Sequence, residues 1–108
     1  MITNQNLQEV DLWETWIEFD QFNPNFFGTL YVAGEILITT GSKQAWIKKQ
    51  KINGKELILQ IPPRPIGRSR IKEVLYSEPL KNLSSYKSIS IYSGQELIVR
   101  INDIEVLI

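Results

Sequence analysis

The chain has 108 residues and matched numbers of basic and acidic side chains, for a formal net charge of zero; 43% of its residues are hydrophobic and 22% charged. That is enough chain for one ordinary core, in the balance of a folded protein rather than a disordered one. It contains no cysteine and no histidine, which removes disulfides, thiolate nucleophiles, thiolate or imidazole metal sites and every triad that needs histidine.

The first structural signal is a stretch that admits two readings. Asn6 with Glu9 three residues on has the spacing of a capping box, and Val10, Trp13, Trp16 and Ile17 follow at helical spacing, which as a helix would set both tryptophans on one face; the reading preferred is at most one short helical turn over 6–12, then a strand. From Trp13 to Phe22 the residue types favour a strand, with Trp13, Thr15, Ile17 and Phe19 on one parity and Glu14, Trp16, Glu18 and Asp20 on the other. Only one parity of a strand faces a core, so Trp13 and Trp16 are not both buried if this segment is extended. The outward one then marks an interface.

Asn23-Pro24-Asn25 breaks the chain. Residues 26–40 form the longest strand candidate. Leu30, Val32, Ile36 and Ile38 lie on one face, with Thr29, Tyr31, Ala33, Glu35 and Thr39 on the other. Gly34 falls on the apolar face and predicts a bulge or bend. A further hairpin follows, with strands 45–52 and 55–61 about Asn53-Gly54. A two-residue loop there sets Trp46 opposite Ile61, Lys48 opposite Leu59 and Lys51 opposite Glu56, and is preferred to a three-residue loop that opposes Lys51 and Lys55. Lys48, Lys49 and Lys51 predict an edge strand.

Pro62-Pro63-Arg64-Pro65 cannot lie inside a sheet, and an exposed loop is expected as far as Arg70. A strand over 71–76 and a connection over 80–87 follow. The last hairpin turns at Ser93-Gly94. A three-residue loop, Tyr92-Ser93-Gly94, gathers Ile89, Ile91, Leu97, Val99 and Ile101 on one face and requires a positive φ at Gly94. Ile104, Val106 and Ile108 continue the alternation, which predicts a paired C-terminal strand. The whole pattern is all-β, an antiparallel β-sandwich or a closed or partly open barrel of about seven strands, in one domain spanning 1–108. No internal repeat, low-complexity tract or linker is predicted.

The charge is unevenly spread. Residues 1–42 hold six acids and no base; residues 43–72 hold nine bases and Glu56 as the one acid; residues 73–108 hold three bases and five acids. The plain expectation is that the fold sets acidic and basic strands side by side, with Arg64, Arg68 and Arg70 paired to Glu14, Glu18 or Asp20. The functional alternative is an anion or nucleic-acid stripe built from Arg64, Arg68, Arg70, Lys48 and Lys49. Trp13 and Trp16 are the other binding candidates. Asn53, Gly54 and Gly94 are structural turn residues.

The carboxylate pairs Glu14/Glu18 and Asp103/Glu105 lack the Gly-containing loop of a calcium site. No cofactor or metal is expected. No apolar run reaches the ~18 residues of a membrane span, and the start of the chain lacks the pattern of a secretion signal. These observations predict a small cytoplasmic, non-enzymatic domain with no membrane partner. It acts by binding another protein or by self-association, as a homodimer through the unprotected run 102–108. The alternative is binding of an anionic ligand or nucleic acid through residues 43–72.

Overall fold

The structure is a computed structural model that describes residues 13–19, 22, 27–41, 44–82 and 85–107. The helical turn expected over 6–12 lies outside the described residues, as do Asp20 and Ile108. The described chain is all-β. Its eight strands are β1 (Glu14–Phe19), β2 (Gly28–Thr39), β3 (Lys48–Asn53), β4 (Glu56–Ile61), β5 (Ser69–Leu80), β6 (Ser88–Ser93), β7 (Glu96–Ile101) and β8 (Glu105–Leu107). Two four-stranded sheets form a sandwich and not a closed barrel: β5-β2-β1-β8, called sheet A below, and β3-β4-β6-β7, called sheet B. Each sheet is mixed. β1 runs parallel to β8 and β4 parallel to β6, while the other pairs are antiparallel. No helix among the described residues is long and apolar enough to cross a membrane.

Period-two alternation builds the core. Ile17 of β1 and Leu30, Val32, Ile36 and Ile38 of β2 project inward from sheet A, against Leu57, Leu59, Ile89 and Ile91 of sheet B, and all are 3% exposed or less. The parity predicted for β2 is the one observed. Inward Trp13 explains Gly34. The register of β2 against β5 runs unbroken through Gly34, and β1 pairs with β2 as far as Ala33, so the expected bulge is absent. A Cβ on Gly34 would instead stand 2.6 Å from Cζ3 of Trp13 and overlap the ring more deeply at its fused edge. The glycine gives the indole its room, and the aromatic ring covers the backbone that glycine exposes.

Both hairpins keep their glycine turn and change their register. Gly54 (φ 64°) and Gly94 (φ 63°) each occupy the first loop position, followed by Lys55 and Gln95, whose φ is not positive. This is the type II′ arrangement, in which only the first central residue needs a positive φ. Asn53 and Ser93 are therefore the last paired residues of their strands, opposite Glu56 and Glu96.

A bulge then resets the parity in each hairpin. In β3 the extra residue is Gln50, so Ile52 faces Leu57 and Lys49 faces Leu59. Trp46 is displaced from the expected apolar face; Ala45 and Ile47 pack on the core, while Lys48 Nζ lies 4.8 Å above the Trp46 ring. In β7 the extra residue is Ile98, so Val99 faces Ile91 and Ile101 faces Ile89, while Leu97 turns outward opposite Tyr92. Burial selected the apolar set, as predicted apart from Leu97, but through a bulge rather than a longer loop.

The basic segment forms edge structure. β3 is an edge strand of sheet B, as its lysines predict. Residues 62–68 are irregular, and β5 is longer than expected, running through Pro79 at the opposite edge of sheet A. After β7 the chain crosses to sheet A, where β8 pairs with β1 alone. The C-terminal run is thus a paired strand within its own chain, covering three positions among the described residues.

Candidate functional site

The alternation that buries Ile17 turns Trp16 outward. Trp16 pairs with Tyr31 across β1 and β2, and their rings stack at 5.3 Å with an interplanar angle of 19°. The indole Nε1 of Trp16 donates to Glu18 Oε2 at 3.1 Å, which fixes the ring against the sheet. Trp13, by contrast, faces inward and packs on the core. Its indole N–H is buried with no partner among the described residues. The two tryptophans are thereby sorted onto opposite faces.

The rest of the outer face of sheet A follows from register. Ala33 lies beside Glu14 on β1 and Leu75 on β5; Leu37 lies beside Ile71; Tyr31 lies beside Ser77. At the other side Glu105 neighbours Trp16, and Leu107 neighbours Glu18. Leu75, Ile71 and Leu107 are 59%, 46% and 44% exposed. An aromatic stack thus sits within a sheet face that carries several exposed aliphatic side chains.

Five carboxylates share this face: Glu14 and Glu18 on β1, Glu35 on β2, Glu73 on β5 and Glu105 on β8. Its strand positions include no lysine or arginine. Glu35 and Glu73 are direct cross-strand partners, a placement that costs stability for like charges. Glu14, Asp103 and Glu105 line one hollow with Trp16. Among the described residues, however, no group of three such side chains is placed to hold a metal ion.

The basic residues lie elsewhere, and the acidic strand β1 is not beside them. It is enclosed by β2 and β8 in sheet A, whereas β3 belongs to sheet B. Lys49 pairs with Glu78 at 3.3 Å and Arg64 with Glu96 at 3.9 Å. Both acids come from the last third of the chain rather than from the expected Glu14, Glu18 or Asp20. Lys48 and Lys49 alternate to opposite faces of β3, one over Trp46 and the other toward β5. Arg68 is in the exposed loop before β5, and Arg70 stands opposite Ile38.

Two polar clusters escaped the sequence reading. At the seam between the sheets, the half-buried Glu78 accepts from Tyr76 Oη at 2.6 Å and Tyr86 Oη at 2.5 Å, besides Lys49. Burial alone would raise the Glu78 carboxyl, but the two phenols and the ammonium outweigh it and hold the group below the usual range. Burial, then the hydrogen bond and charge of Glu78, push both phenols above theirs. On the outer face of sheet B, buried Ser90 donates to Glu56 and accepts from Arg100 Nε at 2.9 Å; Arg100 also pairs with Glu56 at 3.1 Å. Glu78 carried one available signal, its i, i+2 spacing from Tyr76. Tyr86 carried none, because its position depends on how the 81–87 connection returns.

No protein-family model, curated protein or solved structure matches this chain.

Proposed function

We infer that this protein is a binding domain whose partner is another protein, and that the outer face of sheet A is its docking surface. The observation that supports this reading is the outward Trp16, stacked on Tyr31 among exposed Leu75, Ile71 and Leu107. Aromatic anchors amid aliphatic contacts, with a charged rim, are the usual anatomy of a protein interface. A rigid pair of rings loses little conformational freedom on binding, which favours such a pair as an anchor.

Site-specific photocrosslinking in the native host tests this. A benzophenone amino acid replaces Ser77, beside Tyr31 on sheet A, or Asn53, at the far end of sheet B. The expected result is a discrete crosslinked protein from position 77 alone, lost when Trp16→Ala is added. Equal crosslinking from both positions, or none from position 77, would overturn the assignment of the face.

A further inference from the structure

We propose that the partner docks on sheet A through a lysine- or arginine-rich surface. The inference rests on the docking reading above and adds the partner's chemistry. Five carboxylates surround the Trp16–Tyr31 stack, and the strand positions of that face supply no cation. Glu35 and Glu73 oppose each other directly. A cation between them turns an unfavourable pair into two favourable ones, so part of the binding energy is already present as relieved repulsion. The aromatic faces suit the same chemistry. A guanidinium stacks on an indole or a phenol while its edge reaches a carboxylate, and one arginine at Trp16 has Glu18 and Glu105 as neighbours.

The chain's own segments are poor occupants. Residues 1–12 carry Glu9 and Asp11 and no base, so charge opposes their docking here. A second copy would offer the outer face of its sheet B. There Arg100 is already held by Glu56 and Ser90, which leaves Lys48 and Lys51 against five carboxylates. A front-to-back contact of that kind is also heterologous, so it closes only as a ring and otherwise propagates as a filament.

The test titrates the ¹⁵N-labelled full chain with a nona-arginine peptide at low salt, with a nona-glutamate peptide and a heparin hexasaccharide as comparisons. The expected result is that nona-arginine alone shifts the amides of 14–18, 31–35 and 73–77. Its affinity should fall steeply with salt, as screening requires. Glu35→Gln with Glu73→Gln should weaken it by about fivefold to tenfold, the loss of two exposed ion pairs, while raising the melting temperature of the free protein. That rise separates a binding effect from a failure to fold.

Shifts confined to sheet B, stronger binding of heparin at the same face, or an affinity indifferent to both Trp16→Ala and the glutamate changes would each overturn the proposal. So would a concentration-dependent mass showing that a second copy covers the face. If nona-arginine fails while position 77 still crosslinks a partner with no basic surface, the proposal falls and the docking reading stands. If both fail, both fall.

Discussion

Gly34→Ala should destabilise the protein even though alanine is ordinarily the better strand residue. Replacing a strand-interior glycine by alanine gains about 0.5–1 kcal/mol where the new methyl is free. Here it is not free. The added Cβ would lie 2.6 Å from Cζ3 of Trp13 and nearer still to the ring fusion, and what must yield is a rigid indole packed on the core, not the end of a flexible chain. Overpacking of this kind costs about 1–3 kcal/mol, so the net effect is a loss of about 1–2 kcal/mol. For a domain of this size that lowers Tm by about 4–15 °C. Urea denaturation followed by tryptophan fluorescence measures it. The decisive arm is a double-mutant cycle with Trp13→Ala, which removes the ring. In that background Gly34→Ala should become neutral or stabilising, with a coupling of about 1–3 kcal/mol. An equal effect of Gly34→Ala with and without the indole would refute the reasoning, and so would a stabilised single variant.

Three further outcomes follow from the same structure. Gly94 has φ 63°, and no atom beyond its chain neighbours lies within 4 Å of where a Cβ would stand, so Gly94→Val should cost about 1 kcal/mol or more through backbone strain alone, and Gly94→Asn distinctly less; equal melting temperatures for the two would count against a left-handed requirement. Glu78 has a depressed carboxyl, so its contribution is present above its unfolded value near 4.3 and is lost as pH falls through the lower folded value. Wild type and Glu78→Gln should therefore differ in urea midpoint at pH 6 and converge in strong acid, and a constant difference across that range would exclude the linkage. Glu35→Lys should stabilise the free protein by about 0.2–1 kcal/mol, because it replaces a like-charge cross-strand pair by an opposite one; chemical denaturation at low salt would show no gain if the two carboxylates do not face each other.

What the sequence made legible was parity. The inward set of β2, the outward course of Thr29, Tyr31, Ala33 and Glu35, and the conflict between Trp13 and Trp16 all follow from period two; the register shows the first two, and the packing of Trp13 on the core with Trp16 stacked on Tyr31 shows the third. The lysine-rich edge and the positive φ of Gly94 were legible for local reasons of the same kind. Register was not. It turns on one extra residue in each hairpin, Gln50 and Ile98, and neither residue differs in type from its neighbours in a way that marks a bulge. The parallel pairs β1–β8 and β4–β6 were hidden as well, since a parallel partner comes from a distant segment and leaves no turn signature. Charge pairing failed for that reason too. Which acid meets Lys49 or Arg64 depends on which strands share an edge, and that is a property of the assembled sandwich.

One pair of segments isolates how much the surroundings decide. Gly54-Lys55-Glu56-Leu57-Ile58 and Gly94-Gln95-Glu96-Leu97-Ile98 differ at a single position, a short internal similarity that the element spacing did not predict. Their glycines adopt φ values one degree apart in turns of the same kind. Local sequence thus produces the same local structure twice. The two strands that follow then diverge. β4 lies between β3 and β6, and Leu57 and Ile58 are 0% and 7% exposed; β7 is the edge of its sheet, and Leu97 is 42% exposed. The glutamates diverge with them: Glu56 is held by Ser90 and Arg100, while Glu96 meets Arg64 at 3.9 Å. The bulge at Ile98 suits the edge position, since an irregular edge is a poor template for a further strand. Among the described residues β7 is irregular and β8 spans three positions, and short or irregular edges are poor templates for a further strand. The outer face of sheet A combines its stacked rings with five carboxylates, on strand positions that include no lysine or arginine.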